Sequence, residues 1–351
     1  MSPRHALFLL GSFSVVQGIS ISGTPVQVKF TSGMCDASGV IPLRFGADPI
    51  FSVADDEINV VKTFRSGATA ALSTFNVGGK LVGSQSSGNE LDTEGAAIVN
   101  GKHFYITSHG RDKSGNLDSY GRYWFFSRNY TYGYHHLVDD MLNTTLNPAL
   151  ASLKSVLASA TQFSSATVAS LAPKDQGLCF EGFSEGSVAT EAYIGLRNPL
   201  IGGKAILIPF TNPEAVLAAN PSTSKTGLAR FGEAISTPFD FGGRAFRAIT
   251  KVPAGSTLST GEAMPRFLIV AGAIDSTPPV WQLYSWSGIV TESATLIGAL
   301  PDKIESIFWD NLGKVLWAIS DEGSTLISGT ECKSASSSKK FFYGYKVALV
   351  A

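Results

Sequence analysis

Acidic, imidazole and guanidinium side chains recur in this chain at the ends of short apolar runs, and those ends are where chemistry can be sought. Asp36, Asp92, Glu94, Glu181, Arg244 and Glu305 each stand at the start of such a run. Asp55-Asp56-Glu57, His109, Arg111, Arg197-Asn198, Asp275 and Asp321-Glu322 each stand at the end of a following one. In an antiparallel hairpin the start of the first strand lies beside the end of the second. Each pair of runs therefore collects charge at one end of one hairpin. Carboxylates gathered this way raise one another's pKa unless a cation or a guanidinium lies among them.

Two chemistries suit these residue types. Hard divalent cations take several oxygen ligands, and Asp36, Glu94, Glu181 and Glu305 would offer a carboxylate set for calcium. Arg197, Asn198, Arg244 and Arg247 would bind an anionic ligand, since guanidinium forks fit carboxylate and phosphate. Both hold together in metal-assisted phosphoester hydrolysis, with Glu94, His109 and Arg111 as the catalytic group and His109 as general acid or base. Acids at turns also accept backbone N–H bonds with no ligand present, so a structural role stays open for each singly. Nucleophilic catalysis has little support: no Gly-x-Ser-x-Gly elbow precedes a helix, and no paired-cysteine or paired-histidine zinc spacing occurs.

The elements that must position these residues follow one unit. In Asp92 to Arg111, a short strand from Glu94 to Val99 meets Asn100-Gly101, a strong type I′ hairpin signal. An aromatic and β-branched strand follows from His103 to Thr107. The unit returns four more times, anchored at Asp36, Glu94, Glu181, Arg244 and Glu305. The anchors lie roughly 60 residues apart, with one longer interval, a period that fits four-stranded propeller blades. The expected fold is an all-β propeller of five blades. A sixth stays open in Thr131 to Ala172 or Thr211 to Asp240. Val26 to Phe30 is expected to close the ring by pairing with the C-terminal strand, hiding two sheet edges. Gly79 to Ser84 is read as a fourth strand of the first blade. Asn147-Pro148 is read as a helix start, within a helical insertion over about 138–160.

The chain has 351 residues, 44% hydrophobic and 16% charged, with 36 Gly and a net charge of -1. That length buries a large core, and no basic surplus or Lys/Arg run points to nucleic acid. Arg4, His5 and the apolar run Ala6 to Val16 read as an export signal over residues 1–22, leaving 23–351 as one domain. The run is too short to span a bilayer, and no membrane association is expected. Export permits disulfides, and Cys35–Cys332 is one possibility if the chain ends meet; spacing does not establish it. Asn129 and Asn143 stand in glycosylation sequons.

Met34-Cys-Asp-Ala-Ser, Glu94-Gly-Ala-Ala, Ser108-His-Gly-Arg, Gly195-Leu-Arg-Asn-Pro-Leu, Gly242-Gly-Arg and Tyr284-Ser-Trp-Ser-Gly, in this order, resemble a family of secreted, propeller-like proteins known only as a domain of unknown function. The resemblance runs from about Met34 to the C-terminus. It departs at Asp112, where the usual box reads Ser-His-Gly-Arg-Asn, and at Gly272-Ala-Ile-Asp275. It implies a propeller and carries no activity; calcium-dependent phytases are an analogy of fold alone. The expectation is a secreted propeller that binds a small anionic or sugar-like ligand at a polar mouth, with calcium as the accompanying cation. A phosphoester hydrolase and a non-catalytic scaffold for a protein partner are the alternatives.

Overall fold

The structure is a computed structural model and describes residues 18–31, 33–77, 92–107, 125–127, 137–143, 145–151, 178–218, 227–274 and 280–351. Strand β1 (Ser20–Phe30) comes first. Blade one is β2 (Ala37–Arg44), β3 (Ile50–Asp55), β4 (Val60–Arg65) and β5 (Ser73–Asn76). Blade two is β6 (Thr93–Val99), β7 (Lys102–Thr107) and β8 (Phe125–Ser127), followed by helix α1 (Leu137–Leu142). Blade three is β9 (Cys179–Glu185), β10 (Ala192–Ile201) and β11 (Lys204–Phe210), followed by helix α2 (Pro213–Ala218). Blade four is β12 (Ala245–Lys251), β13 (Phe267–Gly272), β14 (Trp281–Trp286) and β15 (Thr295–Leu300). Blade five opens with β16 (Ile304–Asp310) and β17 (Val315–Ser320), then passes through a small ribbon, β18 (Leu326–Ile327) and β19 (Thr330–Glu331). It ends with β20 (Phe342–Val350), and β1 lies outside β20 in the same sheet.

These sheets form a five-bladed β-propeller. Strands β2, β6, β9, β12 and β16 are the inner strands, and each packs beside the next until β16 meets β2. A separate apolar cluster fills each gap between neighbouring blades. Between blades five and one, for example, Phe30, Phe51, Phe64, Trp317 and Phe342 are fully buried. Each such ring contributes roughly 1.5–3 kcal/mol of transfer free energy. The blades are locked by this packing, since sheets stacked radially share no ladder bonds.

The expected ring closure is present and extends further than expected. β1 starts at Ser20, not Val26, and pairs antiparallel with β20 from Ser20↔Val350 to Phe30↔Phe342. The ends do meet: Cys35 and Cys332 form a disulfide, with Cα atoms 6.0 Å apart. Asn100 and Gly101 both have positive φ, 48° and 75°, as the type I′ reading requires.

Other expectations are corrected. The fourth strand of blade one is Ser73–Asn76, and residues 79–84 lie outside the described residues. The described residues between Thr211 and Asp240 form no sixth blade. They include α2, and Phe231 and Ile235 bridge to β11 as a ragged edge of blade three. The other segment considered for a sixth blade, 131–172, is mostly outside the described residues, as are residues 1–17 of the expected export signal and the part of the expected helix beyond Ala151. Among the described residues, no helix is long and apolar enough to cross a membrane.

Pro148 does open a helical turn, but a 3₁₀ one, and Asn147 does not cap it with its side chain. Buried Asn147 instead donates Nδ2 to the carbonyls of Asp140 (2.7 Å) and Ala229 (3.1 Å) and accepts the Phe231 N–H (2.8 Å). Three separate segments are tied by one amide. Asn147→Ala leaves those buried groups unpaired and is expected to cost roughly 1–3 kcal/mol, measured as a lower urea midpoint with unchanged slope. A cost below the scatter of surface substitutions would show that water replaces the amide.

Candidate functional site: an acidic mouth over an ion-paired plug

The inner strands share one local irregularity. Each ladder skips a residue on the inner strand near its start: Glu94 in β6, Glu181 in β9, Arg247 in β12, Glu305 in β16, and one of Ser38 and Gly39 in β2. Such bulges release a residue from pairing and re-aim its side chain. Here they deliver charged side chains to the propeller axis. A small residue follows each one: Gly39, Gly95, Gly182, Ala248 and Ser306. The reason is steric. A Cβ on Gly95 would lie 2.6 Å from Cβ of Phe183, so a larger residue would force β6 and β9 apart. A charged residue followed by a small and then an apolar one is thus the sequence signal of the ring. It places the blade-four anchor at Arg247, not Arg244.

Three of the four charged bulge residues, Glu181, Arg247 and Glu305, form an ion-paired plug with Arg197. Glu181 Oε1 accepts hydrogen bonds from Nη1 of Arg197 (3.0 Å) and Nη1 of Arg247 (3.1 Å). Arg247 Nη1 also lies 3.4 Å from Glu305 Oε2. Arg197 is itself a bulge residue of β10, and its Nε donates to the Ile274 carbonyl at 2.9 Å. Burial pulls the Arg197 pKa down, but its neighbours, Glu181 first and Glu305 among them, together outweigh it and hold the guanidinium charged. Burial lifts the Glu305 carboxyl to about 8, with Arg247 offsetting part of the effect. The space left among Glu94, Glu181, Glu305 and their small neighbours is about 10 Å³, room for one water at most.

Beside the plug, on blades one and two, lies a second set of carboxylates, those of Asp36, Asp55, Asp56, Asp92 and Glu94. One ligand atom from each of Asp36, Asp55 and Asp56 falls within 4.8 Å of the others, and so it does for Asp56, Asp92 and Glu94. Asp56 belongs to both triads. Backbone bonds explain the convergence: the Asp56 N–H donates to the Asp36 carbonyl (3.1 Å), and the Asp92 N–H donates to the Asp56 carbonyl (3.2 Å). The three acids are stitched together across the boundary between two blades.

The electrostatics are correspondingly unbalanced. Burial, then Asp321 and Asp55, lift Asp36 to about 8. Burial lifts Asp55 to about 6, although the N–H groups of Ile58 and Glu57 pull it back. Asp56 and Glu94 are raised well above the usual range, each by burial first and then by neighbouring carboxylates. Asp55 is 1% exposed. Its Oδ1 accepts two turn N–H groups, but its Oδ2 and the Oδ1 of Asp56 are buried without a hydrogen-bond partner among the described residues.

The expected site residues therefore separate. Glu94 belongs to the second triad and Asp36 to the first. Glu181 and Glu305, expected as metal ligands, are taken by arginines. Arg197 and Arg247, expected to grip a ligand, grip Glu181. Arg244 donates to the carbonyls of Val280 (3.1 Å) and Phe241 (3.1 Å) and joins no acid of the mouth. Asn198 is buried before the cis Pro199. Glu57 pairs with Lys333 at 2.7 Å, and Glu322 accepts from Ser320 and Thr325, so both serve turns. His109, Arg111 and Asp275 lie outside the described residues. The shared role of Asp56 was hidden in the Asp-Asp-Glu run, where Asp55 ends β3 and Asp56 opens the turn that follows.

No model of a known protein family matches the chain, and no curated protein matches it. Among solved structures it is similar to Chaetomium thermophilum Raptor, at 13% identity and a TM-score of 0.30, over 87% of this chain and 20% of that one. The chain thus spans about a fifth of Raptor's length. It is also similar to the PQQ-bound form of aldose sugar dehydrogenase from Streptomyces coelicolor, at 10% identity and a TM-score of 0.37, over 94% of this chain and 100% of that one. Neither likeness is strong enough to bear on what this chain binds.

Proposed function

We propose that the mouth is a divalent-cation site of the calcium type that presents its ion to a small polar ligand, sugar-like or anionic. The observation that carries this reading is the pair of carboxylate triads sharing Asp56, with buried oxygens of Asp55 and Asp56 left without a hydrogen-bond partner among the described residues. Two oxygens on one calcium at about 2.4 Å each lie at most about 4.8 Å apart, the spacing that both triads satisfy. A cation also relieves the repulsion that lifts these carboxyls. Calcium takes six to eight oxygens, so a triad leaves positions for ligand hydroxyl or carboxylate oxygens. The arginines then orient Glu181 and Glu305 instead of gripping the ligand. Export through the N-terminal signal is part of the reading, and a cut no later than Gly18 leaves the buried Ile19 and all of β1 in place.

The test is thermal unfolding in EDTA and then in calcium, at pH 5 and pH 8. The cation-free midpoint is expected to be highest in acid. Asp36, Asp55 and Glu305 have folded pKa values raised above their ordinary 3.8, 3.8 and 4.5. Their stabilisation is complete below the unfolded values and is lost as pH rises through about 6 to 8. Calcium needs the ionised carboxylates, so its effect should be larger at pH 8. At a hundredfold excess over Kd it adds about 2.7 kcal/mol, a rise of a few degrees. Asp56→Asn removes one repelling charge and both triads, so it should raise the cation-free midpoint at pH 8 and abolish the calcium response. A calcium response retained in Asp56→Asn, or none in the wild type, sinks the site.

One observation favours hydrolysis as a second reading: a carboxylate shared by two triads is the arrangement that bridges paired metals in phosphoester hydrolases. Release of nitrophenol from p-nitrophenyl phosphate that requires both a divalent cation and Asp56 would support it.

A further inference from the structure

We propose that the opposite face of the propeller carries a second ligand site, an axial cup for a small, uncharged, mainly apolar molecule bearing one hydroxyl or carbonyl oxygen. Past their bulges, the inner strands continue to the other face and line a cavity of about 420 Å³. Val40, Ala97, Phe183, Lys251 and Trp309 contribute one wall residue from each inner strand. The cavity is therefore on the axis, and the bulge residues Glu94, Glu181, Arg247 and Glu305 stand between it and Asp36, Asp55, Asp56 and Asp92. Its volume lies in the range of small-molecule sites, and its walls have the usual make-up of such sites: largely apolar, with a few polar groups.

The polar groups set the ligand class. Lys251 Nζ lies 3.3 Å from Glu185 Oε2, and both side chains are partly exposed. The pair has no net charge, so the cup offers no attraction for an ion. The ammonium carries three donors and spends one on Glu185, leaving donors for a neutral oxygen. The remaining wall, with Phe45 and Pro253 near the rim, is apolar surface whose removal from water favours binding. A ligand here reaches no group of the acidic mouth, so the cup is independent of the cation reading.

The test uses Nile red, an uncharged dye whose emission rises in apolar surroundings. The folded wild-type chain in EDTA is expected to bind it saturably at one dye per chain. Excess 1-naphthol should displace it, and 1-naphthalenesulfonate should not. Ala254→Trp places an indole at the exposed rim and is expected to weaken dye binding at least tenfold with an unchanged thermal midpoint. Lys251→Met should retain the dye and lose the advantage of naphthol over naphthalene. Asp56→Asn and added calcium should change neither affinity. Absence of saturable binding, equal binding by Ala254→Trp, or equal displacement by the sulfonate would overturn the assignment. Dye binding that falls as the chain dimerises would also overturn it, by making a second copy the occupant.

Discussion

Glu181→Ala is expected to cost the fold roughly 3–5 kcal/mol, the range found when one partner of a buried ion pair is removed. Glu181 is 2% exposed and Arg247 6%. The one carboxylate oxygen accepts from both Arg197 and Arg247. Without it, Arg247 keeps only its longer contact to Glu305, and Arg197 keeps a backbone carbonyl. Two guanidiniums would then face each other on the axis with little solvent. Urea unfolding measures the cost. The double variant Glu181→Ala with Arg247→Met should lose less than the sum of the two single changes, because it removes charge along with its partner. Additive losses would mean that the plug is not a coupled unit. A single-variant loss below about 1 kcal/mol would mean that water screens the site as it does at a surface.

The second large effect concerns the ring closure. Cys332→Ser removes a crosslink between residues 297 apart in sequence. In the chain-entropy account, a loop this long restricts the unfolded state by roughly 5 kcal/mol. The native ring is closed in any case by β1 on β20, so most of the loss should come from the freed unfolded chain. The expected result is a lower urea midpoint for Cys332→Ser, matched by the wild type in reductant and unaffected by reductant in the variant. The mouth should feel the change too. Cys35 precedes Asp36, its carbonyl accepts the Glu322 N–H at 2.8 Å, and Lys333 beside Cys332 pairs with Glu57. The calcium response should therefore weaken in the variant. A wild-type midpoint indifferent to reductant would remove this role for the crosslink.

Much of the architecture was legible because its signals are local. Alternating and apolar runs mark strands, Asn100-Gly101 marks a turn, and a period of strand, strand and charged end marks a blade. These depend on residues a few positions apart, which explains why the blade order could be read from the sequence; the closure of β1 on β20 followed instead from the need of a ring of blades to hide its two open sheet edges. The polar face was legible for the same reason, since hairpin geometry alone brings strand starts and strand ends together.

The composition of the site was not local. Arg244 precedes the first pair of the β12–β13 ladder, Ala245 with Gly272, whereas Arg247 is the residue that the ladder skips, and that choice is made by packing around the axis. Asp56 serves two triads because backbone bonds to Asp36 and Asp92 join turns from two blades. Glu181 and Glu305 look like ligands in a list of acids, but Arg197 of blade three and the buried Arg247 of blade four claim them. By itself the sequence determined a ring of repeated sheets with charge at one end. Only the tertiary structure decided which charges neutralise each other and which carboxylates converge in the two triads. The physical reason is that bulge register and pairing across blades are settled by contacts between residues tens to hundreds of positions apart.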